Sequence, residues 1–138
     1  MREIKYIVLH CTATNQTTPP ETILSYWKNV LCWESPGYHY LIGADGTIHA
    51  LLSIDQVANG VFGHNANSIH ISYIGGIDEN GNALDNRTPK QILSLQKLII
   101  EYKKQFPSAE ILGHKDFPGI HKECPSFNVK DWLKDLKI

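Results

Sequence analysis

Residues 4–9, IKYIVL, form a nearly continuous apolar run, and His10, Cys11 and Thr12 break it abruptly. Such a run is the pattern of a strand buried on both faces, so a strand is predicted over residues 4–9, ending at a polar site. Ile23, Leu24, Trp27, Val30 and Leu31 then recur at helical spacing. Their start signal is TPPE, with Thr18 as the predicted cap, Pro19 as the first helical residue and Glu21 completing a capping box. GYHYLIGADGTIHALL predicts a hairpin turning at Asp45-Gly46, where glycine takes positive φ at little cost. SIHISYIGG predicts a further strand that stops at Gly75-Gly76. Thr88, Pro89 and Gln91 repeat the helix-start logic, and Ile92, Leu95, Leu98, Ile99 and Tyr102 supply a long helix with its core face. AEILGH predicts a short strand ending at His114, and Val129–Leu136 a closing helix behind an Asn128 cap. The order β-α-β-β-β-α-β-α predicts an α/β fold, a single domain over residues 1–138 with a central mixed β-sheet flanked by helices.

Composition narrows the function classes. A chain of 138 residues can bury a core without disulfide or metal staples. Its net charge of −1 advertises neither a nucleic-acid surface nor an anionic-membrane surface. No stretch approaches the roughly 20 apolar residues of a membrane span, and MREIKYIVLHC has neither the length nor the cleavage site of a signal peptide. The expectation is a monomer made in the cytoplasm without an export signal, with no nucleic-acid or membrane partner. Three cysteines, Cys11, Cys32 and Cys124, cannot all pair within one chain, which favours free thiols or a metal ligand. The absence of a Cys-x-x-Cys pair leaves a thiol-redox function with little support.

Chemistry concentrates at two strand ends. His10 and His114 both close predicted strands, and ligand sites in α/β sheets gather at strand carboxyl ends. If those strands run parallel and adjacent, both imidazoles emerge at one edge. Cys124 follows in GHKDFPGIHKECPSF. Two histidines and one thiolate are an established set of catalytic zinc ligands, leaving a fourth position for water. Each residue alone has a plainer reading, as a satisfied polar group at a strand end or a small buried thiol.

The segments IVLHCTAT, GYHYLIGADGTIHA, GHNANSIHISYIGGID and LGHKDFPGIHKECPSF, in this order, span nearly the whole chain. Together they resemble the zinc-dependent N-acetylmuramoyl-L-alanine amidases, a family that includes phage lysozymes, cell-wall recycling enzymes and animal peptidoglycan-recognition proteins. The resemblance implies one zinc per chain held by His10, His114 and Cys124. A thiolate at the third position is the phage-type choice, where recycling enzymes carry aspartate. It further implies that Tyr38 is the active-site tyrosine and Lys122 the catalytic lysine. His64, Asn65 and Asn67 fall in a segment that lines the substrate groove and are expected to contact glycan or peptide. The implied reaction is hydrolysis of the amide between N-acetylmuramic acid and L-alanine in peptidoglycan or muropeptides, reached after lysis or export. A non-catalytic peptidoglycan-binding module is the alternative, although members of that kind typically lose the cysteine ligand that Cys124 retains.

Several neighbours have plainer expectations. Asp116 could receive the second ring proton of His114, or simply shape a turn. Cys11 should point away from His10 if the strand continues, as a core thiol. His70 stands where relatives commonly carry glycine and is read as structural, while His39, His49 and His121 have no assigned role. Thr12 and Thr14 are expected to hydrogen-bond within their loop.

Overall fold

The computed structural model describes residues 2–138. Five strands, β1 (Tyr6–Cys11), β2 (Tyr40–Ile42), β3 (Ile48–Ala50), β4 (Ser68–Tyr73) and β5 (Glu110–Gly113), form one sheet in the order β3-β2-β4-β1-β5. β1 lies parallel between β4 and β5, β2 joins β4 in parallel, and β3 pairs antiparallel to β2 across the Asp45-Gly46 turn. The mixed sheet and its flanking helices match the expected α/β architecture. Gly46 has a φ of +85°, and Asp45 Oδ1 accepts from the Thr47 N–H.

Side-chain alternation gives the sheet two different faces. Ile7, Leu9 and Cys11 of β1 join Ile69, Ile71 and Tyr73 of β4 under α2 (Pro89–Gln105) and α3 (Val129–Leu136). Leu95, Leu98, Ile99 and Tyr102 of α2 and Trp132 of α3 complete this core. Val8 and His10, with His70 and Ser72 of the paired strand, must therefore face the other side. That second face is covered by loops and by α1 (Pro20–Ser25), which continues into a π-helical turn at Tyr26–Val30. It carries the buried polar residues His10, His39, His70, Ser72 and His114.

Three element boundaries differ from the sequence reading. β1 does not stop before His10 but continues through it to Cys11, because His10 and Cys11 pair with Ser72 and Tyr73 of β4. Sheet pairing, rather than the end of the apolar run, sets that boundary. α1 begins at Pro20 with Pro19 as an uncapped N-cap, and the predicted Thr18–Glu21 capping box is absent. A residue that precedes proline is pushed out of the helical region, so Pro19 stays extended at φ −67°, ψ 148°. β5 ends at Gly113, and His114 opens a short 3-10 turn, His114–Asp116. α2 follows the prediction in full: Gln91 N–H donates to Thr88 Oγ1 at 3.1 Å, and Thr88 N–H donates to Gln91 Oε1 at 3.0 Å. The buried Gln91 amide also donates to Ile42 O and Ile74 O, clamping the helix start to the sheet. Among the described residues no helix is long and apolar enough to cross a membrane.

Candidate active site

Parallel pairing of β1 with β5 puts the two histidines together. Val8 stands opposite Leu112, so two residues further on His10 and His114 leave the sheet on the same face and at the same end. Their ring centroids lie 5.0 Å apart. The loop after the His114 turn then brings Cys124 back over the end of β1. Lys115 N–H donates to Cys124 O at 2.9 Å, tying the loop to the turn. Cys11 N–H donates to Cys124 Sγ at 3.2 Å, and Cys124 Sγ is 3.8 Å from His10 Nδ1. One ligand atom from each of His10, His114 and Cys124 falls within 4.8 Å of the others. Tetrahedral zinc with nitrogen and sulfur ligands needs separations of about 3.4–3.6 Å, within reach of small side-chain adjustments.

The electrostatics suit a cation. Burial, then the neighbouring His70, His114 and Lys122, drives the His10 imidazolium well below its ordinary range. Burial and Lys122 lower His114 to about 4. Both rings are thus neutral at pH 7 and offer lone pairs. The neighbouring thiols of Cys11 and Cys124 shift each other in opposite directions. Cys11 is lowered to about 7 by its hydrogen bond with Cys124, and that same pairing, together with burial, raises Cys124. A bound cation would displace the Cys124 proton and favour its thiolate.

The three donors sit at a cavity of about 240 Å³ whose walls include Thr12, Trp27, Trp33, Tyr38, Asn59 and Lys122. Tyr38 donates its hydroxyl to Cys11 O at 3.3 Å and packs beside the His10 ring at 5.0 Å. Burial, followed by the charge of Cys124, raises the Tyr38 phenol, which stays protonated. Lys122 is exposed at the cavity rim. Two further depressions share walls with this cavity. One is bordered by Thr14, Tyr26 and Tyr38, the other by Gly76, Ile77 and Lys122.

Other candidate residues occupy different places. His64, Asn65 and Asn67 do not line the cavity. His64 packs against Phe117 and Tyr6, Asn65 Oδ1 takes the His70 ring and the Val61 N–H, and Asn67 donates to Glu3 O. Asp116 is the turn residue, accepting from Gly113 N–H at 2.8 Å. Cys11 is buried in the core on the far face, as its alternation predicts, and contributes to the site chiefly through its backbone. Thr12 and Thr14 hydrogen-bond to each other at 2.7 Å. The sequence reading did not place Trp27, Trp33, Asn59 or Gly60 at the site, because each comes from a loop or helix whose docking no local pattern encodes. His70 was legible in part: the alternation in SIHISY puts it opposite Ile69 and Ile71, on the histidine-bearing face.

The family model described as N-acetylmuramoyl-L-alanine amidase matches residues 1–127. The chain belongs to this family. The endolysin of Klebsiella phage KP32 is 36% identical over 138 residues, covering 99% of this amidase and 90% of that protein. The Ph2119 endolysin from the Thermus scotoductus MAT2119 bacteriophage superposes with a TM-score of 0.82 at 27% identity, covering 98% and 85% of the two chains. The amidase LysC from Clostridium intestinale URNW gives a TM-score of 0.80 at 27% identity, with 99% and 87% covered. These similarities span nearly the full length of each partner and make this chain an amide hydrolase.

Proposed function

We propose that this amidase is zinc-dependent and hydrolyses the bond between N-acetylmuramic acid and L-alanine in bacterial peptidoglycan. The observation that carries the reading is the convergence of His10, His114 and Cys124 within 4.8 Å at the cavity that Tyr38 and Lys122 border. Two neutral imidazoles and one thiol fit zinc in ligand type, number and spacing. When bound, zinc would supply Lewis acidity toward the scissile carbonyl and the attacking water.

The remaining steps fall to the protein. Attack on the amide carbonyl builds negative charge on its oxygen, which preorganised donors stabilise. Lys122 presents an ammonium group at the rim, and the Tyr38 phenol, which burial keeps protonated, can turn its O–H from Cys11 O toward the oxyanion. Collapse of the tetrahedral species then requires a proton on the departing L-alanine nitrogen, and Lys122 can deliver it. Trp27 and Trp33 stack with centroids 6.4 Å apart along one wall, an apolar surface suited to the face of a sugar ring. The two adjoining depressions would accept the chain on either side of the cut bond.

Purified protein should carry about one zinc per chain and release stem peptides from isolated sacculi until a chelator is added. Binding to sacculi without metal or peptide release would instead favour a recognition module.

A further inference from the structure

Behind His10, away from the cavity, lies a hydrogen-bonded chain whose direction can be read from one end. The Val61 backbone N–H can only donate, and it meets Asn65 Oδ1 at 2.8 Å, which identifies that atom as oxygen and fixes the amide's orientation. The same oxygen lies 2.9 Å from His70 Nε2, so that nitrogen must carry the proton. The immediate neighbours of the fully buried His70 ring are His10, His39 and Asn65, none of them anionic, so a cationic ring has no counter-charge. In the neutral ring, His70 Nδ1 is then an acceptor. It faces His10 Nε2 at 2.9 Å, which must therefore be the protonated nitrogen of His10. The lone pair of neutral His10 is left on Nδ1, the atom 3.8 Å from Cys124 Sγ.

We propose that His70, backed by Asn65, is a positioning residue that locks His10 in the tautomer offering Nδ1 to the metal. This rests on the zinc-amidase reading above and adds to it a named outer partner, a group whose loss typically weakens a metal site. The surroundings hold His70 in place. Its backbone N–H donates to His39 Nδ1 at 3.0 Å, and His39 Nε2 in turn meets Gln56 O at 2.8 Å. The His39 ring lies nearly parallel to it, with an interplanar angle of 10°. On another side stands Gly60, where a Cβ would come within 2.3 Å of His70 Nδ1, so only glycine leaves room for the ring.

The test combines imidazole nitrogen NMR of the zinc-free chain at neutral pH with zinc affinity measured by competition against a chromophoric chelator. In the unmodified protein, His10 should be protonated at Nε2 alone and His70 at Nε2. His70→Leu should weaken zinc binding about 10- to 100-fold. Asn65→Leu leaves the buried ring itself intact and should mix the His10 tautomers with a smaller loss of affinity. The proposal fails if His10 of the unmodified chain carries its proton on Nδ1. It fails equally if Asn65→Leu changes neither tautomer nor affinity, a result that stands even where His70→Leu does not fold. A parent chain that binds zinc but releases no stem peptide would overturn the amidase reading instead, leaving the tautomer and affinity results to decide the role of His70.

Discussion

Cys11 N–H donates to the Sγ of Cys124 at 3.2 Å, joining the end of the first strand to a residue 113 positions further along the chain. A backbone donor aimed at a sulfur favours its thiolate and holds the proposed third ligand in line with His10. Cys124→Ala removes the ligand but not the strand. Metal analysis should therefore show zinc falling from about one per chain to near zero, with release of stem peptides falling at least about 100-fold. Retained zinc and activity would place the metal elsewhere.

Lys122 and Tyr38 border the cavity without belonging to the three-donor cluster. Lys122→Ala should leave zinc content unchanged and lower turnover by about 100-fold, the scale for losing one preorganised oxyanion donor. Tyr38→Phe should retain zinc, lower turnover by about 10- to 100-fold, and cost about 1 kcal/mol of stability through its lost bond to Cys11 O. Steady-state kinetics on soluble muropeptides, paired with metal analysis, would separate these losses from loss of the metal.

Burial lowers His10, His39, His70 and His114 below the ordinary histidine value of 6.5, with His70 at about 3 and His114 at about 4. Between those folded values and 6.5 the unfolded chain binds more protons, so stability must fall as pH falls. It is fully present above about pH 6.5 and drains away toward pH 3–4. For chelator-treated protein, the urea midpoint should thus drop steadily from pH 7.5 to pH 4.5. A flat midpoint would mean that these rings are not buried as neutral groups.

Gln91 satisfies Thr88 N–H, Ile42 O and Ile74 O with one amide. Gln91→Leu removes the side-chain donor from Ile74 O and the acceptor from Thr88 N–H, leaves Ile42 O with only its bond from Ile74 N–H, and should cost roughly 2–4 kcal/mol. Thr88→Ala removes the cap and the hydroxyl's bond to Ala44 O and should cost about 1–2 kcal/mol. Denaturant titration of the two variants would test that ranking, and equal losses would contradict it.

Much of this fold was legible locally. The capping residues of α2 and α3, the Asp45-Gly46 turn and the alternation in β4 are short-range features that act within a few residues. Local reading failed where a neighbour overrode the pattern. β1 continued through His10 because β4 was there to pair with it, and α1 started late because Pro20 constrains Pro19. The proposed metal set was nameable from the resemblance that His10, His114 and Cys124 carry within their motifs, yet their convergence depends on β1 and β5 lying side by side.

The sequence by itself determined which side chains could do the chemistry and which face of its strand His10 occupies, since residue type and alternation are local properties. Tertiary structure decided what surrounds them. The partner behind His10, the tryptophan wall and the backbone donor at Cys124 all come from segments distant in the chain. Hydrogen bonds act over about 3 Å of space whatever the sequence separation, and only the folded sheet brings those atoms within that range.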